Sequence, residues 1–273
     1  SQQAQPIQTF LLRTSLLDRF CAELGDALLD VENPGHEPGC QEILTHLQQH
    51  NLFVIPLDQE GIWFRYHHLL QDLLRNQLEQ VVSSEIINQL HLQASAWLAE
   101  QWDIEEALDH AFRAADLERA GNIFAQARHE LMNQTQWPRL RRLLQRFPRE
   151  FTARSPDLLL AEAWLFYQQS HYDKISGVLQ QLQKLGDDVI LVPDKAYLRG
   201  ETAALQSLLS CLAVDRTEAM LQAKQALTYT PPRLWIVRVF ARLTLAIAQQ
   251  MGGDYKGATA TILRSFDEEA RQS

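Results

Sequence analysis

No apolar run in this chain approaches the roughly 18 residues that a helix needs to cross a bilayer, so no membrane partner is expected. Cysteine is scarce. Cys21, Cys40 and Cys211 are odd in number, widely spaced and without a CxxC pair. That argues against a disulfide framework or a zinc site and fits reduced thiols in a cytoplasmic protein. There is no GxxxxGK[ST], hence no loop to cradle phosphates and no lysine for them. A nucleophile elbow, a Ser/His/Asp set and an i, i+4 histidine pair with a third ligand are also absent. No catalytic residue, no metal and no cofactor held by this chain alone are therefore expected, and the chain does not read as an enzyme. Cations are in deficit as well: 25 Lys and Arg face 34 Asp and Glu, for a net charge of -9 and a pI near 5.5. Gripping nucleic acid takes a concentrated basic surface, so direct nucleic-acid binding is not expected.

The one basic cluster is Arg139, Arg141, Arg142, Arg146 and Arg149, flanked by an apolar stripe of Leu140, Leu143, Leu144 and Phe147. This reads as an amphipathic helix with a solvated basic face. With 273 residues, 46% apolar and 22% charged, the composition is that of a folded domain pair or one elongated array. The opening Ser1-Gln2-Gln3-Ala4-Gln5 has neither an initiator Met nor signal-peptide grammar, and the expectation is a piece of a longer protein.

The first eighty residues differ in kind from the rest. Ile7 to Thr14 and Leu16 to Leu29 carry helical apolar spacing, with Ser15 and Asp18 forming a capping-box-like start for the second helix. A breaker-rich loop, Asn33 to Gly39, precedes a third helix bearing Ile43, Leu44 and Leu47. Leu52 to Leu57 and Ile62 to Tyr66 read as strands joined by the turn Asp58-Gln59-Glu60-Gly61. Three helices and a hairpin make a winged-helix order. The third helix, Gln41 to His50, contains no Arg or Lys, so it lacks the side chains that read bases and phosphates.

From about Ser84 the pattern becomes helix after helix, apart from one short strand signal at Val189 to Val192. The turns share a grammar in which a polar residue, a large apolar one and two polar ones precede an anchoring residue, usually small. Asp103 to Ala107, Asp116 to Ala120, His171 to Ile175 and Asp254 to Ala258 follow it, and Arg216 to Ala219 fits loosely. Ile175, Ala219 and Ala258 recur at spacings longer than the standard 34 residues, and Ala219, Ala223 and Ala226 lead to Pro231. Stacked hairpins of a tetratricopeptide-like superhelix are expected, with the concave side as a binding surface.

The junction Arg65-Tyr66-His67-His68-Leu69 sets two histidines at a strand-to-helix corner. An imidazole there can donate to an anionic oxygen beside a helix N-terminus, or it can simply cap and pack. His68 points about 100 degrees away around the helix, and His91 and His110 read as surface or partly buried packing. Trp97, Trp102, Trp137, Trp164, Trp235, Tyr167, Tyr172 and Tyr197 could line a small-molecule groove, although core roles explain most of them. Glu162, Arg199, Arg238 and Arg242 are polar positions that could face the concave side.

Three segments resemble the MalT-like, LuxR-type regulators of the signal-transduction ATPases with numerous domains. They are Phe10 to Phe20, Asn51 to Asp58 with Trp63 to Leu70, and Ser95 to Leu98 with Glu106 to Ala111. Pro156 to Trp164 extends the likeness over nearly the whole chain. The resemblance implies an all-α fold with a winged-helix-like module at 1–80, linking hairpins at 81–150 and a tetratricopeptide-like sensor array at 151–273. It implies that ATP or ADP belongs to a separate nucleotide-binding module of the longer protein. Arg65 to Leu69 is similar to the Met-His-Asp motif of that class, which would make His67 the nucleotide-sensing residue; His68 stands where the class often has Asp. The expected function is the regulatory and sensor part of a transcriptional activator, relaying inducer or partner binding to the nucleotide-binding module. The alternative is a helical-repeat scaffold for protein partners with a purely structural winged helix.

Overall fold

In a computed structural model, residues 4–29, 39–50, 54–186 and 195–269 are described, with side chains from 6 to 264 of these. The segment read as a strand at Val189 to Val192, the breaker loop through Pro38, and Leu52 and Phe53 of the first hairpin strand lie outside the described residues. The described chain is overwhelmingly helical with one small antiparallel hairpin, and it forms two compact units, 1–123 and 124–273. The boundary falls inside one helix.

In the first unit, α1 (Ala4–Thr14), α2 (Ala22–Leu29) and α3 (Cys40–Gln49) are followed by β1 (Val54–Pro56) and β2 (Phe64–Tyr66). Val54 pairs with Tyr66 and Pro56 with Phe64. Asp58 closes the turn by accepting from the amides of Ile62 and Trp63, both at 2.9 Å. The core is aromatic: Phe20 packs edge-on to Phe10 and lies 4.6 Å from the Tyr66 ring, whose hydroxyl meets Thr14 Oγ1 at 2.7 Å.

The second helix is shorter than its apolar spacing predicts. It begins at Ala22, because Phe20 leaves the helical path and exchanges two backbone hydrogen bonds with Phe64, each 2.8 Å. Ser15 does not cap α2 either. It closes the end of α1, where its hydroxyl donates to the Leu12 carbonyl, while Asp18 pairs with Arg75. A bridge to a residue 44 positions away outweighs local helix propensity.

Three further helices complete this unit: α4 (His68–Val81), α5 (Ser84–Glu100) and α6 (Ile104–Arg113). Then α7 (Leu117–Asn133) carries the chain into the second unit. There follow α8 (Trp137–Leu144), α9 (Arg149–Thr152), α10 (Pro156–Gln168), α11 (Tyr172–Lys184), α12 (Ala196–Leu212), α13 (Arg216–Tyr229), α14 (Trp235–Met251) and α15 (Tyr255–Glu269). Within the second unit, neighbouring helices pack as hairpins, and α12 also packs on α14 and α10, giving helical-repeat-like packing. No helix among the described residues is long and apolar enough to cross a membrane.

The turn grammar has a common geometry. At six turns the last helical residues are followed by one residue with positive φ: Trp102, Ala115, Thr135, Ser170, Val214 and Gly253. The next amide reaches back five residues, as from Asp103 to Leu98, Asp116 to Ala111 and Asp215 to Ser210, all at 2.9–3.0 Å. This is the Schellman closure, and the residue that completes it also starts the next helix. Two hairpins share a further detail. Ser95 Oγ donates to the Ala107 carbonyl and Ser207 Oγ to the Ala219 carbonyl, with the same 12-residue separation in both. Each buried hydroxyl thus locks one helix to the anchor of the next.

Candidate functional site

The corner at His67 is built by β2 and α4. Tyr66 is buried as part of the aromatic core, which fixes the chain direction, and His67 is the N-cap of α4 with extended backbone (φ -63°, ψ 134°). Its carbonyl accepts from the amides of Leu70 and Gln71, both at 3.0 Å, but its imidazole makes no capping hydrogen bond. The ring is half-buried and lies 4.3 Å from that of His68, which is exposed. Beside them α4 exposes Leu69 and Leu73, at 67% and 62%. The corner therefore presents an imidazole uncommitted to the cap, next to an apolar helix face.

Behind the corner, charged and aromatic side chains join the winged helix to α5 and α6. Arg19 stacks its guanidinium 4.4 Å from the centroid of Trp63, and Trp63 meets Trp97 of α5 edge-on at 6.2 Å. The same guanidinium pairs with Asp103 and, at 2.8 Å, with Glu106, at the start of α6. Arg75 of α4 donates to the Ser15 carbonyl and pairs with Asp18 at 2.9 Å. A stacked guanidinium shared by two carboxylates is more than an ordinary surface pair, and it ties the wing corner to the first hairpin.

Inside that hairpin, His91 of α5 and His110 of α6 are buried and meet Nδ1 to Nδ1 at 2.8 Å. One ring must donate and the other accept, so the pair holds one Nδ1–H, donated to the lone pair of the other Nδ1. Burial first, then the nearby Arg113 and Arg75, pushes His91 down to about 4. His110 is pushed down to about 3 by burial, by His91 and by Arg113. Sequence reasoning placed these histidines as packing residues and missed their contact. The available signal was that antiparallel helices bring together residues roughly equidistant from their turn.

The second unit hides a larger polar network. Arg128 of α7 is fully buried and pairs with Glu201 of α12 at 2.7 Å and Asp157 of α10 at 3.0 Å. Glu201 also takes a hydrogen bond from Trp164 Nε1 (2.8 Å) and contacts His129 Nε2 (2.7 Å), while Tyr197 donates to Asp157 at 3.1 Å. Burial alone would raise the Glu201 carboxyl, but Arg128 and His129 outweigh it and hold the group well below the usual carboxylate range. Every strong charge here has partners, so this is a packed joint of three helices with its ionic demands met. Trp164 belongs to it, as a core role for that aromatic requires. Arg199 stacks on Tyr229 at 3.9 Å, Arg238 donates to the carbonyls of Leu227 and Thr230, and Arg242 is buried. Glu162 instead lies at a cavity edge with Arg149. Among the described residues no group of three or more His, Cys, Asp or Glu could hold a metal.

Fold and corner together define a class: a winged-helix module without a cationic recognition helix, followed by stacked helical hairpins. Comparison with known proteins refines this. Residues 1–86 match the family described as the MalT winged helix domain. The HTH-type transcriptional regulators MalT of Yersinia pestis and Yersinia enterocolitica are each 29% identical to this chain over 234 residues. The similarity covers 86% of this chain and 25% of each relative, and over that span the chain is similar to MalT. The chain thus spans about a quarter of the length of the curated relatives it matches. No solved structure matches it.

Proposed function

We propose that the chain is the regulatory and sensor part of a MalT-like, ATP-dependent transcriptional regulator working in the cytoplasm. It performs no catalysis itself and holds no nucleotide alone. In the resting state the wing corner docks on a nucleotide-binding module, with His67 facing bound ADP. An inducer or regulatory protein on the hairpin array favours a second arrangement, in which that contact is released. Such a switch requires the inducer to bind the two arrangements with different affinity. The observation that carries this reading is the Arg19 clasp. Because Arg19 joins Trp63, Asp103 and Glu106, a displacement of the first hairpin is delivered to the corner that holds His67. The exposed Leu69 and Leu73 beside an uncommitted imidazole support a docking role for the same surface.

The test adds the purified nucleotide-binding module of a MalT relative in trans and measures association calorimetrically with and without ADP. The expected outcome is ADP-strengthened association that falls about tenfold in His67→Ala, the scale of one charge-assisted hydrogen bond, and changes little in His68→Ala. Association indifferent to both ADP and His67 would leave the scaffold reading in its place. Thermal-shift screening against sugars and nucleotides bears on the same choice, since a sensor is stabilised by its inducer.

A further inference from the structure

The basic cluster and the cavity of the second unit fall in the same place. Between 139 and 154 the sequence has six arginines and a single acid, Glu150, in a chain whose net charge is -9. Here α8, α9 and α10 enclose a half-open cavity of about 420 Å³. Its inner wall is apolar: Leu144, Phe147 and Leu165 are buried and Phe166 is half-buried. Its rim is polar, formed by Arg141, Gln145, Arg149, Glu162 and Gln169.

The arginines are not equivalent. Arg139 bonds to Gln136, Arg154 lies over the Phe151 ring, and Arg149 is spent on Glu162 at 3.1 Å. Arg141 lines the cavity, is exposed, and its guanidinium makes no ion pair or hydrogen bond among the described residues. The one carboxylate at the rim, Glu162, is neutralised by Arg149, so the charge left to face a ligand is that of Arg141. The volume lies in the range of small-molecule sites, roughly 300–1,000 Å³, and apolar walls with a few placed polar groups are their usual construction. A nucleic acid would need an open basic stripe, whereas three of these arginines are turned to internal partners.

We propose that this cavity binds a small organic carboxylate with a compact apolar body, the body against Phe147, Leu165 and Phe166 and the carboxylate on Arg141. This goes beyond the regulatory reading and does not depend on it, since binding is measured on the chain alone. The probe is 4-phenylbutyrate, titrated by calorimetry and by ligand-observed NMR, with 4-phenylbutanamide as its neutral isostere. The carboxylate is expected to saturate, with the amide binding at least about tenfold more weakly, the scale of one charge-assisted hydrogen bond at a half-open rim. Arg141→Gln should erase that difference. Arg142→Gln, which removes an equal charge outside the cavity lining, should change affinity less than about twofold. Gln169→Glu, an exposed rim change that gives up one hydrogen bond to the Leu165 carbonyl, should weaken the carboxylate and spare the amide. Failure of the carboxylate to saturate at millimolar concentration would overturn the proposal. So would equal affinity for acid and amide, or equal losses in the Arg141 and Arg142 variants.

Discussion

Acidification should loosen the α5–α6 hairpin before it affects the rest of the molecule. The cause is the buried His91–His110 contact, in which the two Nδ1 atoms share a single proton at 2.8 Å. Unfolded, each ring titrates near 6.5; folded, burial and the arginines nearby push them to about 4 and about 3. Folded rings thus resist the proton that unfolded rings accept. Their contribution is complete above pH 6.5 and is lost as pH falls through the interval between 6.5 and the folded values. At pH 5 the difference is about 2 kcal/mol for each ring taken alone. Rings in contact titrate as a pair, so the hairpin should lose about 2–4 kcal/mol between pH 7.5 and pH 5.

Hydrogen exchange read by mass spectrometry isolates the effect. After correction for intrinsic exchange, amides of α5 and α6 should lose protection by about thirtyfold or more at pH 5, while those of α12 and α13 keep theirs. Other groups in the unit also respond to acid. Glu106 is raised above its ordinary value, chiefly by burial, so its protonation favours the folded state as pH falls even while it weakens the ion pair with Arg19. The control is therefore a double variant, His91→Phe with His110→Leu, which replaces both partners by apolar groups and avoids an orphaned nitrogen. It should fold and lose most of the pH dependence. Equal loss of protection in wild type and double variant would refute the assignment to the histidines.

Three further substitutions test the fold. Gly200→Ala should destabilise the second unit by about 1–3 kcal/mol in urea titration, because the added methyl would sit 2.9 Å from Thr230 N and 3.1 Å from Tyr229 C, backbone atoms with little room to retreat. Val214→Gly should stabilise it by about 1 kcal/mol, since Val214 has φ 61° and is 76% exposed, so the change relieves left-handed strain and sacrifices almost no burial. Glu201→Gln should cost about 3–5 kcal/mol by leaving Arg128 in the interior with one carboxylate instead of two, and should shift the fluorescence of Trp164, whose indole donates to Glu201. Below about pH 4.5 the wild type should approach the variant, because the folded-state Glu201 carboxyl is depressed and its contribution is lost as pH falls.

What could be read in the chain, and what could not, divides by how far away the deciding partner lies. The hairpin array was legible because each turn is written locally: Asp103, Asp116, Asp215 and Asp254 each stand five residues after the carbonyl that their amide closes on. The αL residue before each of them was not legible, because glycine, the usual marker of that conformation, occurs only at Gly253. Trp102, Ala115, Thr135, Ser170 and Val214 adopt it as the residues that close each turn's backbone hydrogen bonds. The false extension of α2 to Leu16 has the same origin. Leu16, Leu17 and Phe20 have helical spacing, yet the backbone of Phe20 is claimed by Phe64. Charged joints are the extreme case. Asp157 and Glu201 stand 29 and 73 residues after Arg128 along the chain, and nothing near any of them announces the others. Arg128 alone left a trace, a cation on the helix face that buries Phe124, Ala127 and Leu131, since so large a charge stays inside only if its counter-ions are brought to it. His67 belongs to the same order of problem one step further out. Its place at the corner follows from Tyr66 beneath it and α4 ahead of it, so local sequence found the residue. On the proposed reading its imidazole works against a separate nucleotide-binding module, which is why the decisive measurement on it is an association and not a stability.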